Sequence, residues 1–177
     1  MADHQLAQLN VARLVAPLDS PRLAEFVAAL EPINRLADGS PGFVWRFQTE
    51  AGDATSVRPF DDDTIIVNMS VWDSIEALAE YVYLSDHRSY LRRRREWFDR
   101  MDEAFVVLWW VPAGHRPSVA EARARLDLLQ ASGPTPDAFT FRRPFLSPGT
   151  RTGADVEAVG ADALAADSDD RWSCRAG

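Results

Sequence analysis

Residues 5–14 (QLAQLNVARL) alternate apolar and polar side chains for most of their length, the pattern of a half-buried strand. Ser20 and Pro21 then read as an N-cap and a proline at the first helical position. Leu23, Phe26, Val27, Leu30 and Ala37 recur on one helical face before Gly39, which predicts a helix over 21–37. Pro32 lies inside it and is expected to kink or locally break it, because proline removes an intrahelical hydrogen bond. After the Pro41-Gly42 turn, Phe43–Gln48 alternates again and predicts a second strand with Phe43, Trp45 and Phe47 on one side. Residues 50–63 read as a polar, acidic loop.

The run TIIVNMSVW (64–72) is β-branched and apolar on both faces, as an interior strand is. Asp73 with Glu76 fits an Asp variant of the capping box, and Ile75, Leu78, Ala79 and Val82 open a helical region to about Met101, with a candidate break at Ser85-Asp86. AFVVLWWV (104–111) predicts a fourth strand apolar on both faces. Ser118 with Glu121 caps a short helix whose Val119, Ala122, Leu126 and Leu129 face inward. FTFRRPF (139–145) reads as a terminal edge strand. From Pro148 onward, too few large apolar side chains remain to offset the entropy of ordering, which predicts a flexible acidic tail over 148–177.

The order is β-α-β-β-α-β plus a short helix, an α+β fold of the ferredoxin-like kind, with an antiparallel sheet and helices on one face. A sheet apolar on both faces then needs a second cover, and a homodimer joined through the sheet faces is expected to supply it.

HQLAQLNVARL, EPINRLADGSPGFVWRFQ, DDTIIVNMSVWDSIEALAEYVY, LRRRREWF and VLWWVPAGHRPSVAEA resemble the bacterial family of unknown function DUF3291, over about residues 4–147. The resemblance implies a dimeric α/β-barrel domain over 1–147, in a superfamily that also holds antibiotic-biosynthesis monooxygenases, haem-degrading monooxygenases and ligand-binding or isomerase relatives. The haem-degrading branch is similar around Ser85-Asp86. There a tryptophan stands three residues before the serine and the haem-ligating histidine seven after it. Val82 and Arg92 occupy those places here, and His87 lies more than a helical turn away.

Composition narrows the functions. The 177 residues are 46% hydrophobic and 26% charged, with six Trp and nine Phe, as in a single globular domain. A net charge of -8 opposes nucleic-acid and membrane-surface binding. The only cysteine, Cys174, excludes an intramolecular disulfide, and the absence of a basic, apolar leader fits a cytoplasmic protein. No metal-ligand spacing joins His4, His87 and His115, and no phosphate loop, nucleophile elbow or dinucleotide fingerprint is present, so neither metal nor cofactor is expected.

Candidate chemistry comes from polar residues on apolar faces. Wound as one helix at about 100° per residue, residues 84–101 set His87 and Arg94 at the centre of the face made by Tyr90, Leu91, Phe98 and Met101. His87 then serves as acid or base and Arg94 as a partner for a substrate oxyanion, or the two are a core histidine and a structural ion pair. Asn34 falls in the apolar stripe of the first helix, and Asn10 and Asn68 interrupt apolar strands. Buried amides must be hydrogen-bonded to structure, water or ligand. Trp45 and Trp97 are candidate aromatic walls, with core packing as the alternative. The expected function is a cofactor-independent enzyme, monooxygenase- or isomerase-like, acting on a small hydrophobic or aromatic carbonyl compound between sheet and helices. The alternatives are a non-catalytic dimeric binding protein and a haem-binding protein.

Overall fold

A computed structural model describes residues 3–48, 62, 64–84 and 87–149, without the side chains of 87, 88 and 91. Strand β1 (His4–Arg13), a 3-10 turn (Pro21–Leu23) and helix α1 (Ala24–Asp38) come first. Then follow β2 (Phe43–Arg46), β3 (Ile65–Trp72), α2 (Ile75–Ala79), a π-helical turn (Glu80–Leu84), α3 (His87–Arg93) and a 3-10 turn (Arg94–Glu96). Strand β4 (Val106–Pro112) and helix α4 (Val119–Ser132) complete the order. The sheet runs β2-β3-β1-β4, all antiparallel, with β1 and β3 in the centre. The α+β ferredoxin-like expectation holds.

Side chains of β1 alternate between two layers. Ala7, Leu9 and Val11 meet Val67, Met69 and Val71 of β3, Val107, Trp109 and Val111 of β4, and Ala122, Leu126 and Leu129 of α4. Leu6 meets Trp72 and Leu108 on the opposite face, under Ala37 of α1 and Leu78 of α2. The helices of the ferredoxin-like unit therefore share one face, and α4 covers the other from within the same chain. The uncovered-face argument for a homodimer loses its premise.

Several local expectations change. Helix α1 continues through Pro32 without interruption. Its end is fastened by Gly39 N donating to Arg35 O at 3.1 Å and Ser40 Oγ donating to Leu36 O at 2.7 Å. A bulge between Phe43 and Trp45 breaks the alternation of β2, leaving Val44 37% exposed. Phe43 thus packs edge-on to Trp72 on the helix-covered face, whereas Trp45 and Phe47 pack on the α4 face. Ser74, not Asp73, caps α2 by accepting from Ala77 N at 3.2 Å, and Asp73 instead accepts from Gln5 Nε2 at 3.1 Å. Ser118 caps α4 as expected, accepting from Glu121 N at 3.1 Å.

The segment after α4 contributes one bridge rather than an edge strand. Leu108 and Phe139 exchange both backbone hydrogen bonds, at 2.9 and 2.8 Å, and Trp110 Nε1 donates to Phe145 O at 2.8 Å. The expected tail beyond Gly149 and most of the 50–63 loop lie outside the described residues, as do Ser85 and Asp86. No helix among the described residues is long and apolar enough to cross a membrane.

Candidate functional site

The helix-covered face of the sheet does not carry one continuous core. Leu6, Trp72, Leu108, Ala37 and Leu78 form an apolar cluster at one end, and Leu14, Ile66, Leu23 and Trp97 form a separate one at the other. Between them the same face of β1 and β3 presents only polar side chains. Gln8 stands directly opposite Ser70, and Asn10 directly opposite Asn68. Asn68 is the single exposed residue of β3, whose other seven residues are buried. This polar band separates the two apolar clusters on the helix-covered face.

The band has a fixed half and an open half. Trp72 Nε1 donates to Ser70 Oγ at 2.9 Å, and Ser70 Oγ donates to Gln8 Oε1 at 2.9 Å. Asn10 and Asn68 make no hydrogen bond to another described residue through their side chains. Asn34 lies half-buried on the inward stripe of α1, between Leu30 and Ala37, and is likewise without such a bond. The three asparagines singled out by sequence are thus two that meet across the sheet and one on the covering helix.

On the β2 side, Arg46 pairs in register with Ser70. Its guanidinium grips Asp38 at the end of α1, Nε to Oδ1 at 2.8 Å and Nη2 to Oδ2 at 3.3 Å, with the Arg46 side chain only 16% exposed. Tyr81, in the π-helical turn, stacks on Trp72 with ring centroids 5.1 Å apart. Burial pushes the Tyr81 phenol well above its ordinary value, the Asp38 carboxylate adds to that shift and the Arg46 guanidinium opposes it. Tyr81 therefore keeps its proton and offers a donor, not a base. As pH rises, the unfolded chain ionises this phenol first. Its stabilising share is complete below the unfolded value of about 10 and disappears as pH climbs through the higher folded value. Wild type is expected to lose stability more steeply above that pH than Tyr81→Phe, measured as urea midpoints across an alkaline series.

The remaining candidates fare differently. Residues 84–101 are not one helix, since a π-helical turn, α3 and a 3-10 turn succeed one another, so the winding that placed His87 and Arg94 on one face does not apply. The His87 side chain lies outside the described residues. Arg94 is half-buried and has a partner. Its neighbour Arg93 lies 5.0 Å over the Trp97 ring and pairs with Glu25 of α1 and, at 2.7 Å, with Glu96, which lowers the Glu96 carboxyl below its ordinary value. Trp97 is buried against Phe26 and Phe98 in the apolar cluster at one end of the band, and Trp45 packs on the α4 face. Among the described residues no group of three or more His, Cys, Asp or Glu could hold a metal ion. Gln8, Ser70, Arg46, Asp38 and Tyr81 escaped sequence reasoning. Their only local signal is the polar-x-polar spacing of Gln8 with Asn10 and of Asn68 with Ser70.

The fold and the band define an α+β protein whose helix-covered sheet face carries a band of side-chain amides between two apolar clusters. The chain belongs to DUF3291, described as a domain of unknown function, whose profile matches residues 5–155. No curated protein matches it. Among solved structures, an asparagine-to-alanine variant of SnoaB, a cofactor-independent oxygenase from Streptomyces nogalater, is similar at 16% identity and TM-score 0.43, over 65% of this chain and 97% of that one. A Nitrosomonas europaea protein of unknown function, NE2512, is similar at 13% identity and TM-score 0.41, over 66% and 97%. A second N. europaea protein, provisionally assigned as an antibiotic biosynthesis monooxygenase, shares 12% identity at TM-score 0.42, over 67% and 98%.

Proposed function

We propose that the protein is a cofactor-independent enzyme that binds a small hydrophobic or aromatic carbonyl compound on this amide band and acts on it by monooxygenation or isomerisation. The observation that carries the reading is the band itself: a row of side-chain amides dividing two apolar clusters on one sheet face. Apolar walls at either end suit a hydrophobic frame, and neutral amides suit its oxygens without demanding a charge. In this reading Asn10, Asn34 and Asn68 hold the oxygens. Proton removal from a carbon beside the carbonyl would leave an enolate, which oriented amide donors stabilise more than they stabilise the ketone. His87 is the proposed proton acceptor and Arg94 the proposed counter-charge, roles drawn from their chemistry.

Asn68→Ala tests the reading with little risk to folding, because the side chain is exposed and makes no described hydrogen bond. Wild type is expected to be stabilised in a thermal-shift screen by members of an aromatic and polyketide-like carbonyl panel, with conversion on incubation in air seen either as a mass change from oxygen insertion or as an isomer of unchanged mass resolved by chromatography. Asn68→Ala is expected to weaken that binding about tenfold and slow conversion at least as much. Arg94→Ala and His87→Ala are expected to retain binding and lose conversion. Binding with no conversion would identify a binding protein instead, and an Asn68→Ala indistinguishable from wild type would remove the band from the site.

A further inference from the structure

Each asparagine of the band can turn either its oxygen or its nitrogen toward a ligand. Gln8 cannot. An indole N–H only donates, so Ser70 Oγ accepts from Trp72; the Ser70 hydroxyl proton has its acceptor in Gln8 Oε1, each bond at 2.9 Å, and turning Nε2 to Ser70 instead would leave that proton without an acceptor among the described residues. Trp72, Ser70 and Gln8 are 0%, 7% and 8% exposed, so water barely competes for these bonds. With Oε1 engaged, the amino end of Gln8 is left over, and Nε2 has no acceptor among the described residues. It is nevertheless not sealed in. The enclosed side-chain atoms without a partner among those residues are His4 Nδ1 and Thr135 Oγ1. Gln8 Nε2 is thus an oriented, nearly dehydrated donor on the polar band, and its desolvation cost is relieved by any oxygen placed against it.

We propose that Gln8 is a ligand-binding residue that donates from Nε2 to a carbonyl or enolate oxygen, and that Ser70, backed by Trp72, is the positioning residue that fixes this polarity. The band then favours a ketone over the corresponding alcohol, whose oxygen can accept the same bond only by turning its hydroxyl proton aside, where that proton needs a further acceptor. This deepens the proposed function and rests on its placement of the ligand on the band.

The test uses the full chain and a matched probe pair, 1-tetralone and 1-tetralol, whose dissociation constants are measured by ligand-observed NMR. Wild type is expected to prefer the ketone. Gln8→Glu, which replaces the donor by an acceptor, is expected to shift the ketone-to-alcohol ratio about tenfold toward the alcohol. Ser70→Ala frees the amide to flip and is expected to bring the ratio near one, while Ser70→Thr, which keeps the hydroxyl, preserves it. A purely structural role for Ser70 would weaken both probes equally and leave the ratio alone. An unchanged ratio in Gln8→Glu or Ser70→Ala overturns the proposal.

Equal wild-type affinity for both probes also overturns it, while leaving the band as the ligand site, which Asn68→Ala decides separately. Failure of both probes and of every member of the carbonyl panel to bind wild type takes both readings down. Should the variants not fold, the wild-type protein suffices: the Gln8 side-chain amide protons are expected to move downfield on adding 1-tetralone, and an unmoved resonance at saturation rejects the donor role.

Discussion

Trp72→Ala is expected to lower the stability of the fold by about 3–5 kcal/mol, the largest single-residue loss on the helix-covered face. The side chain has no exposure and joins three things at once. Its ring stacks on Tyr81 and meets Phe43 edge-on at 5.4 Å, and its indole proton starts the chain through Ser70 to Gln8. Alanine removes the apolar volume, leaves a cavity between β3 and the π-helical turn, and releases the Ser70 hydroxyl from its donor. A domain of this size has only about 5–15 kcal/mol in hand, so the variant should melt far earlier and unfold at a much lower urea midpoint. Trp72→Phe should fall in between, keeping most of the packing but not the proton. A loss below about 1 kcal/mol for the alanine variant would mean that the ring is not the centre of this layer.

Gly42→Ala is expected to cost about 2–4 kcal/mol, far more than its one methyl group would indicate. Gly42 has φ +75°, a conformation costly for any residue with a Cβ, and an added Cβ would stand 2.6 Å from Cβ of Ala77 on α2. Its carbonyl also accepts from Asp73 N at 2.8 Å, so the turn cannot swing aside without breaking the junction between β3 and α2. Ala77→Gly should recover the part of the loss due to the clash but not the part due to backbone strain. Denaturation of the single and double variants gives that division directly, and full additivity of the two changes would contradict the contact.

Much of the architecture is legible in the sequence because burial imposes period on it. The central strands β1 and β3, the edge strand β4 and the helices α1 and α4 follow from apolar spacing, and Ser118 from the short polar step before an apolar run. What escapes is whatever depends on one residue of phase. The bulge at Val44 moves Phe43 across the sheet from Trp45, and no turn residue announces it. Nothing in the apolar spacing of residues 80–96 marks the points where π winding over Glu80–Leu84 gives way to α over His87–Arg93 and then to 3-10 over Arg94–Glu96. The single continuous winding assumed for residues 84–101 fails for that reason.

The amide band is legible in part. Asn10 and Asn68 are conspicuous as polar residues in apolar strands, but that they meet depends on register, which long-range pairing sets. Gln8 and Ser70 are hidden differently. In an alternating strand a polar residue reads as the solvent-facing half, whereas here helices cover that half too.

The single bridge between Leu108 and Phe139 has a consequence for the order in which the protein can mature on the ribosome. Strand β4 has only β1 beside it until residue 139 arrives, and the buried ring of Phe139 fills the layer above Leu108 and Trp110. The Trp110 indole waits still longer, for the carbonyl of Phe145. A nascent chain that has released all four strands and α4 therefore still exposes an open sheet edge and an unfilled aromatic layer, the features that recruit other chains. Phe139 and the segment to Phe145 act as a latch, and protection of that edge during synthesis begins only when they emerge.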